Sequence, residues 1–308
     1  MKKILITGCN GFVGKHTVRF FSQKPSCKVY ATDIVGDAPE NTVFLGGALT
    51  PELLAGFGTD FDAVIHCAGT GTVGKAAADP QESYKNTVGT TEYILDFIRH
   101  SPDTMLIYLS SAAVYGNEYQ SLVPEDAPLS PMSNYGRDKV YVEKLLEKYH
   151  RAYGCKVNIV RFFSIYGEEL RKQLLWDFSN RLHQAMQKNA GSVPCFGTGD
   201  EARDFIHVAD GVRLFDLLIE RDEDWQIVNA GTGVVTTVRE ILEKICSEFG
   251  FTGSLDFNGE VRPGDPAILA ADTSRQSSIG FKPQIDVAAG VREYVSWFKE
   301  EIRKGNVL

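Results

Sequence analysis

A short pattern within the first 33 residues constrains this chain more than any other feature. Residues 2–7 form an apolar run of strand length, and Gly8-Cys9-Asn10-Gly11-Phe12-Val13-Gly14 follows directly. The next residues can continue as a helix, and residues 28–32 are then predicted as a second strand that ends in Asp33. A strand, a glycine turn, a helix and a second strand closed by an acid make up the unit that binds a dinucleotide.

The residue types in this unit suit a dinucleotide for physical reasons. Glycines let the backbone bend sharply and approach a pyrophosphate, and the free N–H groups at the helix start can bind its phosphates. Asp33 lies 19 residues after Gly14, where a carboxylate can accept hydrogen bonds from both hydroxyls of an adenosine ribose. A glycine-rich turn in some other α/β protein is disfavoured, because strand, helix and acid all stand in the required order. The predicted cofactor contacts here are Gly8, Asn10, Gly11, Phe12, Val13, Gly14, Asp33 and Ile34.

Composition and charge exclude several classes of function. The 308 residues are 43% apolar and 23% charged, as in ordinary globular proteins, and the net charge of −8 argues against nucleic acid or an anionic membrane as the main partner. No apolar stretch approaches the ~20 residues of a membrane span, and the chain starts with a strand, so a cytoplasmic protein is expected. The 6 cysteines lack C-x-x-C pairs and histidines at ligand spacing, so neither a metal site nor a disulfide is predicted.

Strand and helix patterns alternate along the N-terminal half. Strands are predicted at residues 43–46, 62–67, 104–110 and 156–162, and helices at residues 51–57, 80–100 and 134–153. This alternation predicts an α/β fold, a doubly wound parallel sheet of the Rossmann type. We expect residues 1–166 to form the dinucleotide-binding domain and residues 167–308 mainly a smaller α/β substrate domain, with some C-terminal elements returning to the first.

The C-terminal half contains further helix and strand patterns that we expect to cover the substrate. Amphipathic helices are predicted at residues 170–188, 208–220, 238–249 and 287–304. Short strands are predicted at residues 193–196, 226–229 and 254–257.

Small residues follow the predicted strand at residues 62–67. Cys67, Ala68 and Gly69 stand where a doubly wound sheet binds its ligand, at the carboxyl end of a strand. We therefore predict cofactor contacts at these three positions. His66 precedes them, and a single histidine at a strand end is more often structural.

Three residues farther along can carry proton chemistry. Tyr135 and Lys139 are spaced i and i+4 on the predicted helix at residues 134–153, so the ammonium can lie beside the phenol. A nearby cation favours the phenolate, which can then exchange a proton with a sugar hydroxyl while a nicotinamide exchanges a hydride with the same carbon. Ser111, at the end of the predicted strand at residues 104–110, can hold the substrate oxygen. We predict Ser111, Tyr135 and Lys139 as the catalytic residues, with the latter two also contacting the cofactor.

Together these motifs resemble the extended short-chain dehydrogenase/reductase family, and within it the nucleotide-sugar epimerases and dehydratases. The resemblance also includes H-C-A-G at residues 66–69, N-x-x-G-T at residues 86–90 and S-S-A-A-V-Y-G at residues 110–116. It implies a nucleotide-sugar substrate, a cofactor contact at Asn86, and a homodimer built through helices 80–100 and 134–153.

The resemblance extends into the C-terminal half. R-F-F-S-I-Y-G at residues 161–167, the stretch at residues 197–210 and R-P-G-D at residues 262–265 match the family's substrate-binding segments. It implies that Arg203 and Arg262 hold a nucleoside diphosphate, which suits the forked donors of arginine. Ser164, where the family usually has asparagine, and Asp265 are the further substrate contacts that it implies.

Departures from the family pattern reduce the number of reactions that this chain is expected to catalyse. Family dehydratases carry an acidic pair directly after the serine position, and here Ala112 and Ala113 follow Ser111, so a 4,6-dehydratase is disfavoured. A 4-epimerase that keeps its NAD and a reductase of a 4-keto sugar, perhaps 6-deoxy in type, both remain open. Asp33 repels a 2′-phosphate and no arginine or lysine follows in residues 34–41, so NAD is favoured over NADP and the epimerase over the reductase. A non-catalytic dinucleotide-binding protein is a third, remote interpretation, because a fold does not imply a function.

Overall fold

The structure is a computed structural model that describes residues 1–119, 122–260 and 268–307. The chain divides into two compact units. The first unit contains Met1–Gly116, Glu125–Phe162 and Gly211–Ala230, and the second contains Asn117–Pro124, Phe163–Asp210 and Gly231–Leu308. The chain thus enters each unit more than once. The expected division placed its boundary at residue 166, with some C-terminal elements returning to the first domain.

In the described residues the strands and helices follow one another along both units. The strands are β1 (Lys2–Thr7), β2 (Cys27–Thr32), β3 (Thr42–Phe44), β4 (Ala63–His66), β5 (Met105–Ser111), β6 (Leu122–Val123), β7 (Lys156–Phe162), β8 (Ser164–Tyr166), β9 (Ser192–Cys195), β10 (Ala202–His207), β11 (Trp225–Ala230), β12 (Val235–Thr237), β13 (Ser254–Phe257) and β14 (Ile268–Ala271). The helices are α1 (Phe12–Ser22), α2 (Pro51–Gly56), α3 (Val73–Ala78), α4 (Pro80–Tyr84), α5 (Thr90–Ile98), α6 (Asn134–Tyr153), α7 (Gln173–Gln187), α8 (Val208–Arg221), α9 (Val238–Phe249), α10 (Ser274–Ser278) and α11 (Val287–Arg303).

A parallel sheet of seven described strands forms the centre of the first unit. Its order is β11-β7-β5-β4-β1-β2-β3, and every neighbouring pair runs parallel. The predicted α/β fold with a doubly wound sheet is confirmed. The chain moves outward from β1 in one direction through β2 and β3, and then returns to its other side with β4. Ligands bind at this reversal point, beyond the carboxyl ends of the strands, in open α/β sheets.

The apolar runs read from the sequence explain this sheet. The side chains of Ile4, Leu5 and Ile6 are fully buried, as are Val64 and Ile65 of the neighbouring strand. Continuous rather than alternating burial is expected for central parallel strands, because helices cover both faces of the sheet.

The helix that carries the predicted catalytic pair has clear signals at both ends. The side chain of Ser133 accepts a hydrogen bond from the backbone N–H of Gly136 at 3.1 Å and begins α6. Gly154 ends the helix in the left-handed conformation, with φ of 71°. The bounds of α6 agree with the predicted residues 134–153.

The predicted helix at residues 80–100 is interrupted. A π-helical turn at Lys85–Gly89 separates α4 from α5. The hydroxyl of Thr90 donates to the carbonyl of Asn86 at 2.6 Å, and that of Thr91 to the carbonyl of Thr87 at 2.7 Å. Such side-chain bonds satisfy carbonyls that the wider turn leaves without their α-helical partners. The turn lies at the N-x-x-G-T motif, and π-helical turns are frequent at functional sites.

The second unit contains a smaller mixed sheet centred on β10. Its described strands have the order β12-β10-β14-β6, and β8 also pairs with β10. The buried carboxylate of Asp204 accepts hydrogen bonds from the backbone N–H groups of Thr232, Gly233 and Ala271, at 2.7, 2.8 and 3.1 Å. One acid thus fixes β10 to a turn and to a neighbouring strand.

The strand predicted at residues 226–229 has a different place from the one expected. It was expected among the elements that cover the substrate, but β11 pairs with β7 at the edge of the large sheet in the first unit. Its residues Val228, Asn229 and Ala230 are fully buried. Among the described residues there is no helix long and apolar enough to cross a membrane.

Candidate active site

The glycine turn after β1 is shaped by close backbone contacts. Gly8 has φ of 65°, and a Cβ there would lie 2.6 Å from the backbone nitrogen of Ala68. A Cβ at Gly14 would overlap the carbonyl oxygen of Gly8 and lie 2.9 Å from the Cα of Cys9. These positions require glycine because strand, turn and helix approach one another too closely for any side chain.

The start of α1 is suited to bind an anion. No side chain within the described chain caps this helix, and its first turn holds no acid. The uncapped N–H groups and the positive end of the helix dipole are the features that bind a pyrophosphate. Phe12 and Val13, two of the predicted cofactor contacts, are the first two residues of α1.

Asp33 is held in a fixed orientation beside this turn. Its Oδ2 accepts a hydrogen bond from the backbone N–H of Asn10 at 2.8 Å, and its Oδ1 accepts one from Ile34 at 2.7 Å. The amide nitrogen of Asn10 donates in turn to the carbonyl of Val35 at 2.8 Å. Asn10 therefore links the glycine turn to the segment after β2, and the carboxylate keeps lone pairs for a ribose.

A buried chain of hydrogen bonds places the segment after β4. The backbone N–H of Ala68 donates to the Thr7 hydroxyl at 3.3 Å, and that hydroxyl lies 2.7 Å from Nδ1 of His66. On the other side, Nε2 of His66 lies 3.1 Å from the hydroxyl of Thr91, which donates to Thr87. Every donor in this series of hydrogen bonds has an acceptor if His66 carries its proton on Nε2. Burial lowers the pKa of His66 to about 3, so the ring is neutral. His66 is thus structural, as predicted.

Lys139 is buried one helical turn after Tyr135. Its ammonium donates to the carbonyl of Leu109 at 2.7 Å and lies 4.7 Å from the ring centroid of Tyr108 and 5.7 Å from that of Tyr135. Tyr135 lies in the first turn of α6, where the helix dipole favours negative charge. The structure therefore brings the predicted pair together.

The protonation of this pair differs from the expectation that Lys139 would lower the pKa of Tyr135. Burial raises the pKa of Tyr135, and a hydrogen bond with Ser111 opposes that effect. Burial also lowers the pKa of Lys139 to about 8, which the carboxylate of Glu143 partly counteracts. Desolvation dominates both groups, so the phenol stays protonated in the protein alone.

Ser111 ends β5 and begins a short 3₁₀ turn. Its hydroxyl accepts a hydrogen bond from the backbone N–H of Ala113 at 3.2 Å. The chain turns here close to α6, because a Cβ at Gly136 would lie 2.5 Å from the carbonyl oxygen of Ala113. Ser111 and Tyr135 therefore meet at one corner of the first unit, and Ala112 and Ala113 add no ionisable group there.

The remaining predicted cofactor contacts lie in the same unit. Cys67 is half-buried, and burial raises the pKa of its thiol to about 12, so it is a neutral side chain. Gly69 adopts φ of 138°. Asn86 lies in the π-helical turn, where its amide donates to Glu82 at 3.4 Å. Their contacts with a cofactor stay predictions.

The predicted substrate contacts belong to the second unit. Ser164 and Arg203 are half-buried on adjacent strands, with Ser164 of β8 opposite Phe205 of β10. Arg203 donates to the carbonyl of Ala202 at 2.8 Å. Arg262 and Asp265 lie outside the described residues.

The sequence analysis did not identify a buried ion pair close to Lys139. Glu143 follows Lys139 by four residues on α6, and its carboxylate binds the guanidinium of Arg161 on β7 at 2.6 Å. The spacing of Tyr135, Lys139 and Glu143 places all three on one helix face. The available signals were an acid eight residues after Tyr135 on the same predicted helix and an arginine in the strand predicted at residues 156–162.

Comparisons with known proteins give consistent results. The profile of a family described as "NAD dependent epimerase/dehydratase family" matches residues 4–231. UDP-glucose 4-epimerase from Halalkalibacterium halodurans is 28% identical, over 96% of this chain and 96% of that protein. dTDP-glucose 4,6-dehydratase from Streptomyces griseus is 27% identical, over 96% of this chain and 93% of its own. The crystal structure of UDP-glucose 4-epimerase from Brucella ovis in complex with NAD has a TM-score of 0.85 at 27% identity, covering 97% of this chain and 98% of that chain.

Proposed function

Because this chain belongs to the NAD-dependent epimerase/dehydratase family, as its motifs suggested, we propose that it is a nucleotide-sugar 4-epimerase. It acts by hydride transfer at C4 of a sugar linked to a nucleoside diphosphate, and it uses NAD. Similar proteins include both 4-epimerases and 4,6-dehydratases, so the residues at the site must decide between these reactions.

The observation that carries the proposal is the pair of alanines after Ser111. Eliminating a C6 hydroxyl needs an acid and a base beside the sugar, and Ala112 and Ala113 can supply neither. Ser111, Tyr135 and Lys139 suffice for oxidation and reduction at a single carbon. A 4-epimerase requires only that reversible step, carried out on each face of the sugar in turn.

Each of these residues has a distinct task in the proposed reaction. When bound, NAD supplies reversible acceptance of a hydride. Tyr135 first loses its own proton to solvent, and its phenolate oxygen then takes the proton of the C4 hydroxyl and later returns one to the keto oxygen. The hydroxyl of Ser111 orients that oxygen, and the ammonium of Lys139 stabilises the phenolate.

The proposal also assigns residues that contact the cofactor and the substrate. The uncapped start of α1, the glycine turn and the fixed carboxylate of Asp33 suit the pyrophosphate and an unphosphorylated ribose of NAD. We assign Arg203 and Arg262 to the diphosphate, and Ser164 and Asp265 to further substrate contacts. Ser164 is shorter than the asparagine usual in the family, so its reach toward the substrate is smaller.

The test begins without any knowledge of the sugar. Freshly purified protein is denatured and its released NAD(H) is quantified, and intact protein is incubated with UDP-hexoses and no added cofactor. The proposal expects close to one NAD(H) per chain and formation of the C4 epimer. A protein that is purified empty and consumes NADH or NADPH with a 4-keto sugar would instead be a reductase.

A homodimer is part of the proposal. Tyr84 on α4 and Tyr141 on α6 lie on the surface with their ring centroids 5.9 Å apart, and Tyr93 and Tyr153 are also exposed on α5 and α6. Exposed aromatic residues on neighbouring helices are typical of interfaces. Sedimentation is expected to give a dimer that the double variant Tyr93→Glu/Tyr141→Glu weakens, and a wild-type monomer at micromolar concentration would contradict it. The cytoplasmic location expected from the sequence also stays part of this proposal.

A further inference from the structure

The carboxylate of Glu143 joins the catalytic helix to two strands of the sheet. Its Oε1 accepts hydrogen bonds from the hydroxyl of Ser110 on β5 at 2.5 Å and from Nε of Arg161 on β7 at 3.0 Å. Its Oε2 accepts a bond from Nη2 of Arg161 at 2.6 Å. Glu143 and Arg161 are only 5% and 3% exposed, so solvent screens this pair weakly.

Arg161 is in turn held by further buried partners. Its Nη1 donates to the hydroxyl of Tyr115 at 2.9 Å and to the backbone carbonyl of Glu125 at 2.8 Å. The hydroxyl of Tyr115 donates to Asn229 at 2.6 Å. Because the guanidinium is fixed from several sides, the carboxylate of Glu143 is fixed as well.

The contacts of Glu143 affect the position of Ser111 because the residues involved are adjacent in the chain. Ser110 directly precedes Ser111, and Leu109, whose carbonyl binds the ammonium of Lys139, directly precedes Ser110. Glu143 and Lys139 thus form hydrogen bonds from one face of α6 to two successive residues at the end of β5. This double contact sets the distance between the Ser111 hydroxyl and the helix that carries Tyr135.

We propose that Glu143 is a positioning residue that acts through Lys139 and Ser111. It fixes the end of β5 against α6, and its negative charge holds Lys139 as a cation near the phenol of Tyr135. The inference rests on the proposed function for the catalytic roles of Ser111, Tyr135 and Lys139, and it adds a fourth residue on which their arrangement depends.

The charge balance around Lys139 supports this role. The titratable groups that face it are Tyr135, Asp138 and Glu143 on its own helix, Tyr108 on β5, and His66 and Cys67 at the end of β4. Burial keeps His66, Cys67 and both tyrosines neutral, because it lowers the pKa of the histidine and raises the pKa values of the thiol and the phenols. Glu143 and Asp138 remain as the negative charges, and Glu143 contributes most to keeping the pKa of Lys139 from falling further.

The proposal is tested by measuring the pKa of Lys139 in the NAD-loaded Glu143→Gln variant. The pKa of Lys139 can be followed by NMR in protein carrying ¹³Cε-labelled lysine, with its signal identified by its loss in Lys139→Met. We expect Glu143→Gln to lower this pKa by about one unit. The matched control is Glu147→Gln, which removes the same charge from an exposed position one turn farther along α6, where Glu147 pairs with Arg151. An unchanged pKa in Glu143→Gln, or an equal shift in the control, overturns the proposal.

A second readout separates positioning from stability. With a UDP-hexose substrate, Glu143→Gln should lower kcat with little change in KM and move the alkaline limb of the pH–rate profile to lower pH. If Glu143→Gln does not fold, the double variant Glu143→Met/Arg161→Met carries the same NMR test, because it leaves no unpaired buried charge. The pKa of Lys139 should fall by less in that variant, because the positive charge of Arg161 is removed together with the negative charge of Glu143. A pKa that is unchanged or raised also overturns the proposal. The NMR measurement needs no substrate, so it tests Glu143 even if the protein epimerises none of the sugars.

Discussion

The ammonium of Lys139 donates a hydrogen bond to the backbone carbonyl of Leu109 across 2.7 Å, two residues before Ser111. This bond ties the cation of the catalytic pair to the strand that carries the serine. It also places a charged group where little water can reach it, which destabilises the charged form. The function proposed for Lys139 therefore has a cost in stability.

Replacing Lys139 by Met should reveal this cost through its pH dependence. The pKa of Lys139 is lowered from 10.5 to about 8 by burial, so the unfolded chain binds this proton more tightly than the folded protein. The penalty is complete below pH 8 and fades as the pH rises toward 10.5. We expect the wild-type free energy of unfolding, relative to Lys139→Met, to rise by about 2 kcal/mol between about pH 7 and about pH 10. Urea titrations at both pH values measure it, and a pH-independent difference would contradict the assignment.

Removal of the Tyr135 hydroxyl should separate chemistry from binding. Tyr135→Phe keeps the ring and the start of α6, so we expect NAD content and Tm close to those of the wild type. Turnover should fall by about 10²- to 10⁴-fold, because only the group that moves the proton is lost. The checks are cofactor release on denaturation and the rate of C4 epimer formation, and near-normal turnover would refute the role of Tyr135.

Tyr108→Phe is the matched control for that variant. The hydroxyl of Tyr108 is buried and has no hydrogen-bond partner among the described residues, while its ring lies below the ammonium of Lys139. Phenylalanine keeps the ring and removes an unsatisfied polar group, so stability should rise by about 1 kcal/mol with turnover nearly unchanged. A large loss of activity would show that the Tyr108 hydroxyl has a role of its own.

Gly14→Ala should abolish cofactor binding through the backbone. The added Cβ would lie 2.8 Å from the carbonyl carbon of Gly8, and backbone atoms at that distance cannot yield as a flexible side chain can. We expect a loss of roughly 2 kcal/mol or more in the free energy of unfolding and no NAD in the purified protein. Gly74→Ala in α3 is the control, because a Cβ there meets no described atom within 4 Å. It should retain NAD with equal or slightly higher stability.

Asp33→Asn should narrow the preference for NAD over NADP. The carboxylate of Asp33 binds the backbone N–H groups of Asn10 and Ile34 and would repel a 2′-phosphate. An amide keeps the shape but loses the charge, so affinity for NADH should fall about tenfold while that for NADPH falls less or rises. Fluorescence titrations of cofactor-free protein with both nucleotides measure the ratio, and an unchanged ratio would assign the discrimination to another residue.

The sequence predicted the large sheet well because its signals are local. A run such as residues 2–7 must be buried on both faces, and a glycine turn with uncapped N–H groups admits few structures. The helix at residues 134–153 was predicted in full because Ser133 and Gly154 mark its two ends. The catalytic pair on it was predicted from its helical spacing together with the dinucleotide-binding unit and the serine strand end that precede it.

The parts that the sequence did not reveal depend on contacts between distant segments. Strands β8, β12 and β14 are short, and together with β10 they are held by pairing with one another and by Asp204 rather than by their own apolar patterns. The π-helical turn at Lys85–Gly89 depends on threonine hydroxyls that bind carbonyls in the preceding turn. The sequence did not reveal that burial dominates the pKa of Tyr135, because charge proximity is visible in a sequence and depth of burial is not.

The discontinuous first unit has a consequence for the order in which the protein is made on the ribosome. Strand β7 ends at Phe162, but its outer neighbour β11 begins only at Trp225, after a long excursion of the chain through the second unit. At ordinary rates of synthesis this interval lasts on the order of several seconds. During that time the edge of β7 presents unpaired backbone groups to other growing chains. The newly made polypeptide is therefore exposed to mispairing at this strand edge midway through its translation.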